Sequence, residues 1–230
     1  MESLLDDQTV ALVGIAGTTE FGQVDPIEDL AKMALERNCH LHVDAAFGGF
    51  VLPFLEGDWN WDFRVPGVSS ITIDPHKMGM STIPAGGLLF RGQECLSHLE
   101  TETHYLTKAR QASLTGTRSG AAAAATYAVM MHLGREGFTK MVDNCMDLTR
   151  HLVSGAREIG VEPAIEPIMN VVALIVPSPA KVRERLMERD WHVSMTREPN
   201  RCLRLILMSH VTHENIELFL ADLKDILKDF

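Results

Sequence analysis

No stretch of this sequence approaches the ~18 unbroken apolar residues that a membrane-spanning helix needs. An integral membrane protein is therefore not expected. Basic residues are scarce beside acidic ones, 21 against 31, for a formal net charge of −10. Nucleic-acid surfaces need clustered Lys and Arg to neutralise phosphates, so no nucleic-acid partner is expected either. The four cysteines, Cys39, Cys95, Cys145 and Cys202, lie far apart, and no C-x-x-C pair exists. Neither a zinc site nor a disulfide framework is implied, and reduced thiols in a cytoplasmic protein are expected. The opening Met1-Glu2-Ser3-Leu4-Leu5-Asp6-Asp7 lacks the basic segment and apolar core of a secretory signal. Internal repeats and low-complexity linkers are absent too. What is present is ordinary for a globular protein: 46% apolar and 23% charged positions in 230 residues. That length suits one large domain, or a medium domain with a small one.

The first hundred residues read as an α/β unit. Val10 to Ala16 is continuously apolar, the pattern of a strand buried on both faces of a parallel sheet. Gly17-Thr18-Thr19 ends it. In Asp25-Pro26-Ile27-Glu28, Asp25 is placed to cap a helix, Pro26 fits its first position, and Glu28 completes a capping box. Ile27, Leu30, Ala31, Ala34 and Leu35 then share one helical face, and Asn38 is a stop. Leu41-His42-Val43 is a short strand that delivers Asp44 at its carboxyl end. Ser69 to Ile73 is a third strand, followed by Asp74-Pro75-His76-Lys77, and Gly87 to Phe90 is a fourth. Thr18, Asp44, His76 and Lys77 thus all follow strands. Ligands of open α/β sheets bind at such ends, so these residues are expected to converge on one crevice.

The second half changes character. Gly120 to Leu133 is alanine-rich and helical, with breaks at Gly134 and Gly137; helix propensity explains its run of alanines. A longer helix follows, with Phe138, Met141, Val142, Cys145, Met146, Leu152, Val153 and Ala156 on its apolar face and Gly160 as its C-terminal glycine. Strands are expected over 170–176, 191–195 and 203–208, a helix from Ser178-Pro179 to about Arg189, and a last helix with Ile216, Phe219, Leu220, Leu223, Ile226 and Leu227 on one stripe. The expected organisation is a partial large domain over 1–135, a connecting helix over 136–159, and a small α+β domain over 160–230.

A carboxylate and a lysine at the mouth of an α/β crevice can be no more than a salt bridge. Here they come with more. Asp44-Ala45-Ala46 sets small residues beside the acid, where a flat ring could lie. His76-Lys77 sets an imidazole beside an amine able to form a Schiff base. Pyridoxal 5'-phosphate needs such parts: a lysine for its aldehyde, an acid for its pyridine nitrogen, and donors for its phosphate. His40, His42 and Asp44 share one side of a strand and could mimic a metal site, but the family resemblance described below explains Asp44 better, so no metal is expected. The twelve methionines read as core filler.

These residues also carry a resemblance. His42-Val43-Asp44-Ala45-Ala46-Phe47-Gly48-Gly49 and Asp74-Pro75-His76-Lys77-Met78-Gly79 resemble the signature of the group II pyridoxal-phosphate-dependent amino-acid decarboxylases, of fold type I. Gly14 to Thr19, Leu114 to Gly120 and Glu166 to Asn170 are similar to segments of the archaeal L-tyrosine/L-aspartate decarboxylases, and the resemblance runs almost end to end. It implies an α/β fold of type I, with a partial, mostly parallel large domain and a small C-terminal α+β domain. It implies that Lys77 holds the cofactor as a Schiff base and that Asp44 keeps the pyridine nitrogen protonated through a charge-assisted hydrogen bond. It places Ala46 on the ring face, Thr18 near the ring and its acid, and His76 by the phosphate or the Schiff base. Gly116 and Thr117 resemble a loop that contacts the phosphate of the neighbouring subunit, which implies a homodimer with shared sites. Tyr105 is the candidate proton donor; the alternative is a tyrosine at a domain edge. Arg204, alone among apolar residues on its strand, needs a partner: either the substrate carboxylate or an internal ion pair.

The resemblance also implies that relatives begin well upstream of Met1. That upstream part would carry the first strands of the large domain, a phosphate loop at a helix N-terminus and a histidine stacked on the ring. A chain without it is expected to bind cofactor poorly and to expose sheet surface. The substrate stays open between aspartate, giving β-alanine for coenzyme A, and tyrosine, giving tyramine for methanofuran. Other pyridoxal-phosphate lyases remain as alternatives, sphingosine-phosphate-lyase-like or desulfurase-like, as does an inactive fragment. The desulfurase reading is weak, because Cys95 and Cys202 lack a mobile small-residue context.

Overall fold

The computed structural model describes residues 2–105, 107, 110–112, 119–199 and 201–230. The chain divides into two compact units. The first comprises residues 1–16, 24–50 and 57–132, and the second residues 17–23, 51–56 and 133–230.

The first unit is built on a four-stranded sheet of β1 (Ala11–Ile15), β2 (His40–Asp44), β3 (Val68–Ile73) and β4 (Gly87–Phe90), in that spatial order. β1, β2 and β3 run parallel, and β4 is antiparallel to β3. The register sets Asp44 between Ile15 and Thr72. Helix α1 (Ile27–Glu36) crosses over between β1 and β2 and packs on both. Its buried Ile27, Leu30, Ala31 and Ala34 meet Leu12, Leu41 and Val43 from the sheet.

β1 is not buried on both faces as its sequence predicts. Leu12 lies under α1, whereas Val13 is 55% exposed. Successive side chains of a strand point to opposite sides, and α1 covers one side only. The expected cap of α1 is also corrected. Pro26 stands at the N-cap with no side-chain cap bond, and Asp25 Oδ2 instead accepts from the Ile15 backbone N–H at 2.7 Å. The carboxylate is used at the end of β1 rather than on the helix. The stop at Asn38 is as expected: the residue adopts a φ of 51°, the left-handed conformation that ends helices.

A short helix α2 (Gln93–Ser97) and an antiparallel pair, β5 (Thr101–Glu102) with β6 (Arg110–Gln111), follow. The helical run α3 (Ala121–Glu158) is broken at Gly134, whose φ of 56° and ψ of −170° interrupt the ladder. Gly137 does not break it.

In the second unit, the later part of α3 joins β7 (Val171–Leu174), α4 (Pro179–Met187), β8 (Ser194–Met195), β9 (Leu203–Ile206) and α5 (His213–Ile226). The strands form an antiparallel sheet in the order β7-β9-β8. Leu152, Val172, Leu174, Val182, Leu186, Leu203, Phe219 and Leu223 lie in one core. Full burial of each large apolar side chain contributes roughly 1.5–3 kcal/mol. Thr212 and Asn215 form a reciprocal capping box at the start of α5. The strand expected from Trp191 shrinks to two residues. Arg183 Nε donates to the Val193 carbonyl at 2.9 Å, and the Trp191 indole N–H donates to Asp222 at 2.8 Å. The Val193 carbonyl is thus taken by a side chain rather than by a neighbouring strand. Among the described residues, no helix is long and apolar enough to cross a membrane.

Candidate active site

The carboxyl ends of β2 and β3 are laced into one corner of the first unit. Ala45 N–H donates to the Thr72 carbonyl at 2.9 Å, which continues the ladder past β2. Ala46 N–H donates to Asp44 Oδ1 at 3.0 Å, so the carboxylate turns over its own loop. The Ala46 carbonyl accepts from Asp74 N–H at 3.2 Å, and the Asp74 carbonyl from Lys77 N–H at 3.0 Å. Lys77 Nζ then returns to Asp74 Oδ2 at 2.9 Å. A continuous polar route thus joins Asp44, Ala46, Asp74 and Lys77.

The turn carrying Lys77 is held tightly. A Cβ on Gly79 would lie 2.7 Å from the Pro75 Cα and carbonyl oxygen, a distance real side chains do not tolerate. His76 is pinned from the other side. Its Nδ1 lies 2.6 Å from the Ala85 carbonyl, and its Nε2 lies 3.7 Å from the same Asp74 oxygen that faces Lys77. Deeper in the sheet, His42 bridges to β3, with Nδ1 2.8 Å from Ser70 Oγ and Nε2 3.1 Å from Thr72 Oγ1. Its ring is committed to these hydroxyls. Among the described residues, no group of three or more His, Cys, Asp and Glu is arranged to hold a metal.

Of the residues singled out from sequence, Asp44, Ala46, His76 and Lys77 meet in this corner. Thr18 and Arg204 belong to the second unit. There Thr18 Oγ1 accepts from Gln23 N–H at 2.9 Å, closing the 17–23 loop. Arg204 Nη1 donates to the Thr19 carbonyl at 2.7 Å, and its buried Nε has no hydrogen-bond partner among the described residues. Among the described residues Arg204 makes no ion pair; its partner is a peptide oxygen. Tyr105 is 79% exposed on the loop after β5. Gly116 and Thr117 lie outside the described residues. Sequence reasoning misses Asp74, which stands directly after β3 and three residues before Lys77.

The corner offers a primary amine, two carboxylates and a methyl-sized side chain on hydrogen-bonded backbone. That donor set fits a pyridoxal-type group, which needs an amine for its aldehyde and an acid for its ring nitrogen. Comparison with known proteins agrees. The model of the pyridoxal-dependent decarboxylase conserved domain matches residues 5–173. The chain belongs to the pyridoxal-dependent decarboxylase family. Over 227 residues it is 70% identical to a probable L-tyrosine/L-aspartate decarboxylase of Methanothrix thermoacetophila, covering 99% of this chain and 59% of that protein. It is 52% identical over 228 residues to a probable L-aspartate decarboxylase of Archaeoglobus fulgidus, covering 99% of this chain and 62% of the relative. Among solved structures, a sphingosine-1-phosphate lyase of Burkholderia pseudomallei aligns with a TM-score of 0.89 at 27% identity, over 98% of this chain and 53% of that one. The fold of this decarboxylase-family chain is thus type I, and the chain spans about three fifths of the length of these curated relatives.

Proposed function

We propose that this chain forms the lysine-bearing part of a pyridoxal-phosphate-dependent decarboxylase acting on L-aspartate, L-tyrosine or both, to give β-alanine or tyramine. The observation that carries this reading is the Asp44–Ala46–Asp74–Lys77 corner, in a chain 70% identical along nearly its whole length to a probable L-tyrosine/L-aspartate decarboxylase. The more distant likeness to a sphingosine-1-phosphate lyase, at 27% identity, gives the fold but weighs less for the substrate.

In this reading Lys77 carries the cofactor through its side-chain nitrogen, and Asp44 keeps a proton on the ring nitrogen by a charge-assisted hydrogen bond. When bound, the cofactor supplies an electron sink for the pair left behind as carbon dioxide departs. Ala46 presents a surface small enough for a flat ring. His76, fixed through Nδ1, holds its Nε2 toward the lysine side of the corner. Arg204 offers a planar cation to the substrate carboxylate, and Thr18 lies one residue from the carbonyl that orients it. Tyr105 is the proposed donor of the proton to Cα. Gly116 and Thr117 are proposed to reach the phosphate of a second subunit in a homodimer. Full activity is proposed to need the further length that the relatives carry.

The test is reductive trapping. With pyridoxal phosphate and borohydride, label is expected on the peptide containing Lys77 and is expected to vanish in Lys77→Ala. Label spread evenly over the other lysines would reject the assignment. In the assembled enzyme, release of labelled carbon dioxide from L-aspartate or L-tyrosine is expected to be lost with Lys77→Ala, and undiminished release would overturn the mechanism.

A further inference from the structure

Lys77 meets a carboxylate, and that carboxylate is not Asp44. Its ion pair among the described residues is with Asp74 Oδ2, at 2.9 Å. The Asp74 side chain is only 17% exposed, against 40% for Lys77, so the acid is the enclosed member of the pair and the lysine the open one. Asp74 is fixed from its backbone as well, by the hydrogen bond from its N–H to the Ala46 carbonyl. A Cβ on Gly86 would stand 3.3 Å from Asp74 Oδ1, so the absence of a side chain there leaves room for the carboxylate. The Oδ2 that holds Lys77 also faces His76 Nε2 at 3.7 Å.

We propose that Asp74 is a positioning residue: the resting counter-ion that holds the Lys77 ammonium whenever that nitrogen carries no covalent partner, and so sets how readily Lys77 attacks an aldehyde. The meaning of this inference rests on the reading of Lys77 as the cofactor lysine. The chemistry it controls is simple. An ammonium has no free electron pair, so Lys77 must first release one proton, to Asp74 or to water. The freed pair then forms a bond to the carbonyl carbon, and the carbonyl oxygen leaves as water with the two hydrogens still on nitrogen. Once the nitrogen is engaged, Asp74 loses its ammonium partner and is left facing His76. When the nitrogen is released again, the carboxylate recaptures it.

The test uses formaldehyde with cyanoborohydride, which methylates amines through the same carbon–nitrogen condensation and requires no cofactor site. Labelling of Lys77 is quantified by peptide mass spectrometry against the exposed Lys181 and Lys224 of the same chain. Asp74→Asn is expected to raise the relative labelling of Lys77 by about two- to five-fold, the range that fits a partly exposed ion pair. Asp74→Glu, which keeps the charge, is expected to stay near wild type. High salt is expected to raise Lys77 labelling in the wild type and to leave Asp74→Asn unchanged, because salt screens only a pair that exists. Unchanged or lower labelling in Asp74→Asn, or equal labelling in the two variants, would overturn the proposal. Should Asp74→Asn fail to fold, the wild-type salt series decides alone: no rise rejects the pairing role. A failure to trap pyridoxal phosphate on Lys77 would sink the functional reading while leaving this measurement intact.

Discussion

Arg204 and Thr19 are joined across 185 positions of sequence: the guanidinium Nη1 donates to the Thr19 peptide oxygen at 2.7 Å, within the second unit. Arg204→Met removes that donor and leaves the carbonyl without it. A loss of about 0.5–1.5 kcal/mol is expected, the net value of a hydrogen bond whose exposed acceptor can turn to water. Urea denaturation checks it, with Arg204→Lys recovering part of the loss. An unchanged midpoint would show that the bond contributes nothing to stability.

Gly79 predicts a second effect. Gly79→Ala sets a methyl 2.7 Å from the Pro75 backbone, so the turn bearing Lys77 must move. Destabilisation of about 1–3 kcal/mol is expected from overpacking. The trapping yield at Lys77 is expected to fall more steeply than the melting temperature, because the displaced segment carries the reactive amine.

Acid should weaken the second unit through Asp222. The Trp191 indole N–H and the Arg189 guanidinium hold its carboxyl below the ordinary value of 3.8. Arg189 and Lys228 do the same for Asp225. A carboxyl that is harder to protonate when folded stabilises the native state above the unfolded value. That contribution is lost as pH falls through the lowered folded value. Asp222→Asn is therefore expected to melt below wild type at neutral pH, with the gap closing in acid. A gap that does not narrow as pH falls below 3.8 would reject the linkage.

The cysteines should react in a fixed order. Burial pushes the Cys145 thiol up to about 11, and burial also raises Cys202, partly offset by its hydrogen bond with Thr196. Thiolates are the reactive species, so Cys39 and Cys95, both partly accessible, are expected to be alkylated first at pH 8. Cys145 should react only on unfolding. Early loss of the Cys145 peptide in a mass-spectrometric time course would contradict this.

Periodicity carried much of the fold. The α1 face of Ile27, Leu30, Ala31 and Ala34, the α5 stripe, and the four-stranded sheet of the first unit lie where the apolar spacing places them, whereas Leu35, expected on the same α1 face, is 59% exposed. What periodicity could not supply was the use of polar side chains. Asp25 has the position of a helix cap, yet its carboxylate accepts from the Ile15 N–H instead. Val13 has the composition of a buried residue, but burial depends on what covers it. At the candidate site, the positions of Asp44, His76 and Lys77 at the carboxyl ends of strands were legible, because Asp44 closes β2 and His76-Lys77 follow β3. Asp74 was not, because a carboxylate beside a lysine in sequence does not say which oxygen the amine will choose.

The chain threads alternately through its two units, lending residues 17–23 and 51–56 to the second before entering it for good at residue 133. A recombinant piece starting at 133 would therefore lack the Thr19 oxygen that Arg204 grips, the Glu20 carboxylate that accepts from the Arg197 backbone, and the Phe54 ring stacked on Phe138. Neither half can be excised at a single peptide bond, and nicking the Gly17–Gln23 loop should loosen a β-sheet almost two hundred positions away.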